Sequence, residues 1–130
     1  MIGLDSNVIV RYLTQDDPVQ SARANRLIER QLSENAPGFI SQIVLVELCW
    51  VLKRLYRATG AELRQTVQDL LDARQFMVEQ RGAVIQAVKK LDTAGDIADS
   101  LIVEVARTVG CERIVTFEKN ASKVGMELLK

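Results

Sequence analysis

Histidine is absent from the 130 residues of this chain, and its absence narrows the possible chemistry more than any other feature of the composition. Without histidine, Ser-His-Asp and Cys-His nucleophilic centres, a histidine general base and a histidine-ligated zinc site are all excluded. A hydrolase built on this sequence and working near neutral pH must rely on carboxylates, hydroxyls, amides, lysines and any metal ion that the carboxylates hold.

Cysteine is scarce, and long apolar runs are missing. Cys49 and Cys111 stand far apart and outside any C-x-x-C pair, so we expect two buried thiols of a reduced protein rather than a disulfide or zinc framework. The chain begins without a basic segment followed by an apolar one, which predicts no signal peptide. The longest mostly apolar stretch, 43–52, contains Glu47 and is too short to span a bilayer. We therefore expect a cytoplasmic protein without a membrane partner.

An excess of charge of either sign is also missing, because 17 Lys and Arg balance 17 Asp and Glu. Most non-specific nucleic-acid binders carry a basic excess, so any binding of nucleic acid by this chain must depend on local charge. The length fits a single domain over residues 1–130, and a chain of this size can bury a core without disulfides.

Short strand-like runs alternate with longer helical patterns along the chain. We predict strands at 2–4, 39–40, 76–79, 114–117 and 126–129. We predict helices at 6–13, 18–34, 42–58, 61–74, 84–91 and 97–109. Ser6 is the expected N-cap of the first helix, Asp17 and Pro18 begin the second, and Gly60 and Gly110 end two others. This order favours an α/β domain around a parallel sheet, in which sites lie at the carboxyl ends of the strands.

Two acidic residues occupy such positions. Asp5 follows the first predicted strand, and Glu118 follows the strand predicted at 114–117. Asp5 is equally compatible with an ordinary turn before the first helix.

Asp96 and Asp99 lie three residues apart at the start of a predicted helix, so their side chains share one face. Two carboxylates this close repel each other unless a positive charge lies between them, and a divalent cation would supply it. The simpler interpretation is an N-cap with a favourable acidic residue at N3. Ile102 and Val103, the next residues on the face of Asp99, indicate apolar surroundings, which favour a partner or a metal.

Glu47 lies within the apolar run IVLVELCWVL. Its neighbours at three and four positions are Ile43, Val44, Trp50 and Val51, none of which can pair with a carboxylate. A carboxylate among apolar side chains is a candidate functional residue.

Three polar residues are candidates for supporting roles. Asn7 could orient Asp5 through a hydrogen bond. Ser41 is most simply the N-cap of the helix at 42–58. Thr116 either supports the site or is an ordinary β-branched strand residue.

The sequence thus supplies carboxylates from separate segments that converge on one end of a sheet. Hard oxygen ligands select Mg²⁺ or Mn²⁺ over zinc. Such a cluster suits phosphodiester hydrolysis, because the metal activates a water and offsets the charge that builds on the phosphate.

Four segments, in order along the whole chain, resemble the motifs of the PIN-domain family, and the chain closely resembles VapC-type toxins. LDSNVIVRYL is similar to the family's opening motif, and SQIVLVELCWVL is similar to the second, with Glu47 as its carboxylate. GDIADSLIVEVAR resembles the third, whose main aspartate corresponds to Asp99 with Asp96 accompanying it. GCERIVTFEKNASK resembles the last, although Glu118 stands where the family usually has aspartate.

The resemblance implies a three-layer domain with a central parallel sheet of about five strands flanked by helices. It implies an endoribonuclease dependent on Mg²⁺ or Mn²⁺, forming a homodimer and inhibited by a cognate antitoxin. The catalytic residues would be Asp5, Glu47, Asp96 and Asp99. These four would bind the metal together with Glu118, and Asn7 and Thr116 would support them.

Two alternatives remain open at this level. The chain is compatible with a PIN-like RNA-processing nuclease outside any toxin system, and with a non-catalytic PIN-like binding module, for which Glu118 is the only hint. Arg11, Lys119 and Lys123 lie near the motif segments and could contact RNA phosphates, although such residues are more often solvated surface charges.

Overall fold

The structure, a computed structural model, describes residues 1–91 and 96–130. Its internal contacts divide the chain into two compact units. Unit 1 comprises Met1–Ala58 and Asp69–Glu79, and unit 2 comprises Thr59–Gln68 and Gln80–Lys130. No helix among the described residues is both long and apolar enough to cross a membrane.

Unit 1 contains a parallel three-stranded sheet in the order β1 (Ile2–Gly3), β2 (Gly38–Ile40) and β3 (Phe76–Val78). Gly38 pairs with Ile2 on one side and with Phe76 on the other. Three helices accompany the sheet: α1 (Ser6–Thr14), α2 (Pro18–Arg26) and α3 (Gln42–Tyr56). Helix α1 packs against both α2 and α3. The helix predicted over 18–34 changes to a π-helical turn at Leu27–Gln31.

Unit 2 is mainly helical. It contains α5 (Arg81–Val88), α6 (Ile97–Thr108), α7 (Lys119–Ser122) and the start of α4 (Gly60–Asp72), which ends in unit 1. Helices α5 and α6 pack together, and β4 (Val115–Thr116) runs parallel to β5 (Glu127–Leu128). A small apolar cluster packs α6 against the segment 114–126. It consists of Val103, Ala121, Val124, Met126 and Ile114.

The strand arrangement differs from the expected one. All five strands are present and each pairs in parallel, but three belong to the sheet of unit 1 and two to the sheet of unit 2. The described residues therefore do not form the single sheet of about five strands that the resemblance implied. Strands of two or three residues are recognisable from local pattern, whereas their pairing depends on long-range contacts that the pattern does not encode.

Several predicted helix starts are confirmed. The carboxylate of Asp17 accepts a hydrogen bond from the backbone N–H of Gln20 at 3.0 Å, with Pro18 in the first turn of α2. The Ser41 hydroxyl caps α3 by accepting from the Val44 N–H at 3.1 Å. These side chains satisfy backbone donors that the helix itself leaves free.

Two predicted helix boundaries are wrong. Asp5, not Ser6, caps α1, and Ser6 is its first helical residue. Helix α3 ends at Tyr56, where Arg57 adopts φ 56°, while Gly60 begins the next helix. The residue that ends a helix in the left-handed conformation is usually glycine, so the sequence predicted the end of this helix at Gly60 rather than at Arg57.

The two cysteines have different environments. Cys49 is buried, and burial raises the pKa of its thiol to about 12, so it remains an uncharged core residue. Cys111 is exposed, and the prediction that both thiols are buried is wrong for it. It follows Gly110, whose φ of 90° ends α6 as the sequence predicted.

A buried ion pair fixes α6 within unit 2. Glu104 is 7% exposed, and its carboxylate accepts hydrogen bonds from Lys90 Nζ at 3.0 Å and from Arg107 at 3.3 Å. Lys90 also donates to the Val124 carbonyl at 2.7 Å. Because removing one partner would leave a buried charge uncompensated, this network holds the helix that carries Asp99 in one position.

Ser100, on α6 beside Asp99, carries a fully buried hydroxyl for which the described residues provide no hydrogen-bond partner. Ser21 is a matched contrast, because it is 2% exposed and its hydroxyl donates to the Arg11 carbonyl at 2.9 Å. An unsatisfied buried polar group destabilises the folded state, whereas a satisfied one contributes modestly to it.

We expect Ser100→Ala to raise the free energy of unfolding by about 1 kcal/mol and Ser21→Ala to lower it by about 1 kcal/mol. Urea denaturation of the two variants and the unchanged chain measures both effects. If Ser100→Ala loses as much stability as Ser21→Ala, the Ser100 hydroxyl has a partner in solution and the interpretation fails.

Candidate active site

Unit 1 places its acidic candidates on two helices that pack together, α1 and α3. Asp5 lies at the carboxyl end of β1, after buried Leu4, and its Oδ1 accepts a hydrogen bond from the Ser6 N–H at 2.9 Å. Glu47 lies in the second turn of α3.

Ser6 links these two carboxylates. While its backbone N–H donates to Asp5, its hydroxyl donates to Oε1 of Glu47, and the serine is only 2% exposed. Because Ser6 is buried and bonded to both acids, it restricts the rotamers of Asp5 and of Glu47. Sequence reasoning treated Ser6 as a helix cap and missed this role, since its partner is 41 residues away in the chain.

The expected apolar environment of Glu47 is not observed. Glu47 is exposed, and its neighbours Ile43 and Trp50 are 79% and 56% exposed. The buried face of α3 consists of Leu45, Leu48, Cys49 and Leu52. Since α3 is apolar on nearly every side, its periodicity could not show which face is buried. Glu47 nevertheless has a polar partner that the helical spacing did not reveal, because it accepts a hydrogen bond from Ser6 on α1.

In unit 2, Asp96 and Glu118 lie close enough for their charges to act on Asp99. Asp96 caps α6, and its Oδ1 accepts from the Asp99 N–H at 2.8 Å. Asp99 is half-buried. Burial, followed by the negative charges of Asp96 and Glu118, raises the pKa of the Asp99 carboxyl. The expectation of a partly desolvated Asp99 agrees with this environment, although Ile102 beside it is exposed.

Glu118 lies in the turn after β4, and its charge acts on Asp99. Its backbone N–H donates to the Thr116 hydroxyl at 3.0 Å, so Thr116 shapes the turn that presents Glu118. Glu118 precedes α7, but its carboxylate makes no capping hydrogen bond there. The side chain is exposed and remains available to another partner.

The acids of unit 2 suit a hard cation. No lysine or arginine among the described residues forms a salt bridge with Asp96, Asp99 or Glu118. Burial and then the charges of Asp96 and Glu118 raise the pKa of Asp99, and a divalent cation would relieve the repulsion through the carboxylate oxygens that Mg²⁺ and Mn²⁺ prefer. Over residues 1–91 and 96–130, however, neither unit gathers three acidic or cysteine side chains into a group that could already hold a metal ion.

The remaining candidates are less closely tied to these groups. In the described part of the chain, no hydrogen bond joins Asn7 to Asp5; Asn7 is exposed and lines a groove beside α1. Lys119 and Lys123 are exposed on and after α7. Arg11 is bound to Asp16 at 3.1 Å. The expectation that Asn7 orients Asp5 therefore lacks a contact, and the backbone of Ser6 fills that role.

Comparison with known proteins agrees with the motifs. The family profile of the PIN domain matches residues 2–126, nearly the whole chain. A comparison with curated proteins gave no match, and a comparison with solved structures gave none. The match includes both acidic groups, Asp5 with Glu47 and Asp96 with Asp99 and Glu118. The chain belongs to the PIN-domain family.

Proposed function

We propose that this protein is an endoribonuclease dependent on Mg²⁺ or Mn²⁺, and that it acts as the toxin of a toxin–antitoxin pair. PIN domains are generally nucleases and typically bind divalent metals. The observation that carries the proposal is the environment of Asp99, where burial and then the charges of Asp96 and Glu118 raise the pKa of its carboxyl. A bound cation would relieve that repulsion.

In this proposal Asp5, Glu47, Asp96 and Asp99 are the catalytic and metal-binding residues, as the family motifs imply, and Glu118 is a further ligand. The bound metal would supply Lewis-acid stabilisation of the phosphate and lower the pKa of an attacking water. No histidine is needed for such hydrolysis.

The residues of unit 1 would prepare their oxygens for this chemistry. Ser6 binds Oε1 of Glu47, which leaves Oε2 to bind the metal or accept a proton from the attacking water. The same serine orients Asp5 through its N–H. Ser6 is therefore a positioning residue in the proposal, and its removal should have a smaller effect than the removal of either acid.

The toxin role and its partners extend the proposal further. The resemblance of the motifs to those of VapC-type toxins supports a homodimer and a cognate antitoxin as partners. Exposed apolar side chains on α3, at Ile43, Trp50 and Leu55, support contact with another protein chain. The absence of an apolar spanning helix among the described residues is compatible with the proposed cytoplasmic location.

Glu118 favours one alternative, a non-catalytic PIN-like module, because it replaces the family's usual aspartate. The structure gives Glu118 a position from which its charge affects Asp99 despite the extra methylene, which supports a functional role instead. Calorimetry separates the two functions, because a non-catalytic module should bind Mn²⁺ weakly or not at all.

The first prediction of this proposal concerns stability. Without metal, Asp99→Asn should raise the melting temperature at pH 7, because the folded state disfavours the charged form of Asp99. Between the ordinary pKa and the raised one, the folded state binds more protons than the unfolded state, so stability falls as pH rises. The advantage of the variant should therefore shrink in acid, below both pKa values. Calorimetric scans across this pH range measure the difference.

Added Mn²⁺ or Mg²⁺ should reverse this order. A cation that binds only the folded state stabilises it by about 2.7 kcal/mol at a free concentration of 100 times the Kd. We expect that gain in the unchanged chain but not in Asp99→Asn. Glu112→Gln is the control, because Glu112 is an exposed acid outside the two acidic groups, and it should gain as much as the unchanged chain. Equal metal-induced shifts in all three proteins would contradict a role for Asp99 in metal binding.

The second prediction concerns activity and tests the proposed function itself. The unchanged chain should cleave single-stranded RNA with Mn²⁺ and not with EDTA. Glu47→Gln keeps the shape of the side chain but removes its charge, so cleavage should fall by more than 10²-fold, while Ser6→Ala should fall by roughly 10–100-fold. Single-turnover cleavage of one labelled RNA measures the rates, and circular dichroism checks the fold.

Three outcomes would count against this assignment. Absence of metal-dependent cleavage by the unchanged chain would reject the nuclease. Normal cleavage by Glu47→Gln would return Glu47 to a structural residue. A larger loss in Ser6→Ala than in Glu47→Gln would mean that Ser6 does more than position the carboxylates.

A further inference from the structure

A groove of about 320 Å³ lies between α1 and α2 in unit 1. Its lining includes Asn7, Val8, Arg11, Gln20, Arg23 and Leu27. Asn7 is two residues beyond Asp5, so one end of the groove lies at the start of α1, where Ser6 links Asp5 to Glu47. Arg11, four residues further, lies about 6 Å along the helix axis.

The two arginines in this groove differ in their freedom. Arg11 is held in place, because its Nε donates to Gln20 at 2.8 Å and its guanidinium pairs with Asp16 at 3.1 Å. Arg23 is exposed on α2 and has no ion-pair or hydrogen-bond partner in the part of the chain that the structure describes. No carboxylate among the described residues lines the groove, and although Asp16 balances the charge of Arg11, Arg23 leaves one unpaired positive charge there.

The composition of the groove indicates what it binds. Arginine suits phosphate, because its planar guanidinium can donate two parallel hydrogen bonds to phosphate oxygens. Among the residues that the structure describes, no aromatic side chain lines the groove to provide a platform for base stacking. Val8 and Leu27 instead add a partly buried apolar surface that is compatible with ribose or a base of any identity.

We propose that this groove binds the sugar–phosphate backbone of single-stranded RNA beside the cleaved bond, with Arg23 and Arg11 contacting phosphates. The inference rests on the proposed nuclease function and adds to it the path of the substrate. It also accounts for how a chain without net positive charge holds RNA, since the basic residues need only line the groove.

RNA binding in the Asp99→Asn background, where cleavage is blocked, tests this path. We expect Arg23→Gln to weaken binding of a labelled oligouridylate by about tenfold at low salt, the order expected for one charge-assisted hydrogen bond. The slope of log K against log salt should fall by about 0.7, the value for one phosphate contact on a single strand. The same loss on oligoadenylate is expected, because a backbone contact does not read the base.

Two further variants make the test specific. Arg26→Gln removes an exposed arginine from the same helix outside the groove lining, and it should bind RNA like the background protein. Gln20→Glu retains every arginine but places a negative charge against Arg11, so it should weaken binding. All four proteins should melt at similar temperatures, because the altered side chains are exposed.

The proposal is overturned if Arg23→Gln and Arg26→Gln bind RNA equally, or if the loss appears on one base sequence alone. It is also overturned if the groove variants lose only the binding of a protein partner. If the unchanged chain shows metal-dependent cleavage and Arg23→Gln binds RNA normally, the groove is not the RNA-binding site, but the proposed nuclease activity stands. Absence of cleavage by the unchanged chain would reject the nuclease first.

Discussion

Repulsion between neighbouring carboxylates is the constraint on which this account depends. In unit 2, burial and then the charges of Asp96 and Glu118 raise the pKa of Asp99. Helix geometry lowers the cost of this crowding, because Asp96 caps α6 and Asp99 lies in its first turn, near the positive end of the helix dipole. The same carboxylates thus serve as helix caps and as candidate ligands, so the structural and functional interpretations are not alternatives. Asp5 repeats the pattern at the start of α1.

Neutral side chains and buried ion pairs hold these acids in place. Ser6 uses two donors on two carboxylates of unit 1, and the Glu104 ion pairs anchor the helix that carries Asp99 in unit 2. In both units a buried residue with satisfied hydrogen bonds supports acids that are exposed or half-buried. Buried supporting residues with accessible acids suit a site that must bind a charged substrate without losing its geometry.

Much of the local structure could be predicted from the sequence, because caps and acidic positions are local signals. Asp17 with Pro18, Ser41 and Asp96 begin helices as expected, and five strands occur near the expected positions. The failures are long-range. The partner of Ser6 lies on another helix, the apolar sequence of α3 conceals its exposed face, and strands of two or three residues do not specify their neighbours. The repulsion around Asp99 was predictable from Asp96, three residues away, whereas the contribution of Glu118 required the fold.

The most direct test of the central claim is the pKa of the Asp99 carboxyl, followed by carbon-detected NMR with and without Mg²⁺. The account predicts a pKa above the ordinary range for aspartate in the metal-free protein, because of burial and of the charges of Asp96 and Glu118. It predicts a lower pKa when Mg²⁺ is present, because a bound cation favours the charged carboxylate. An ordinary pKa that does not respond to Mg²⁺ would contradict the account, since Asp99 would then neither experience the crowding nor bind the metal.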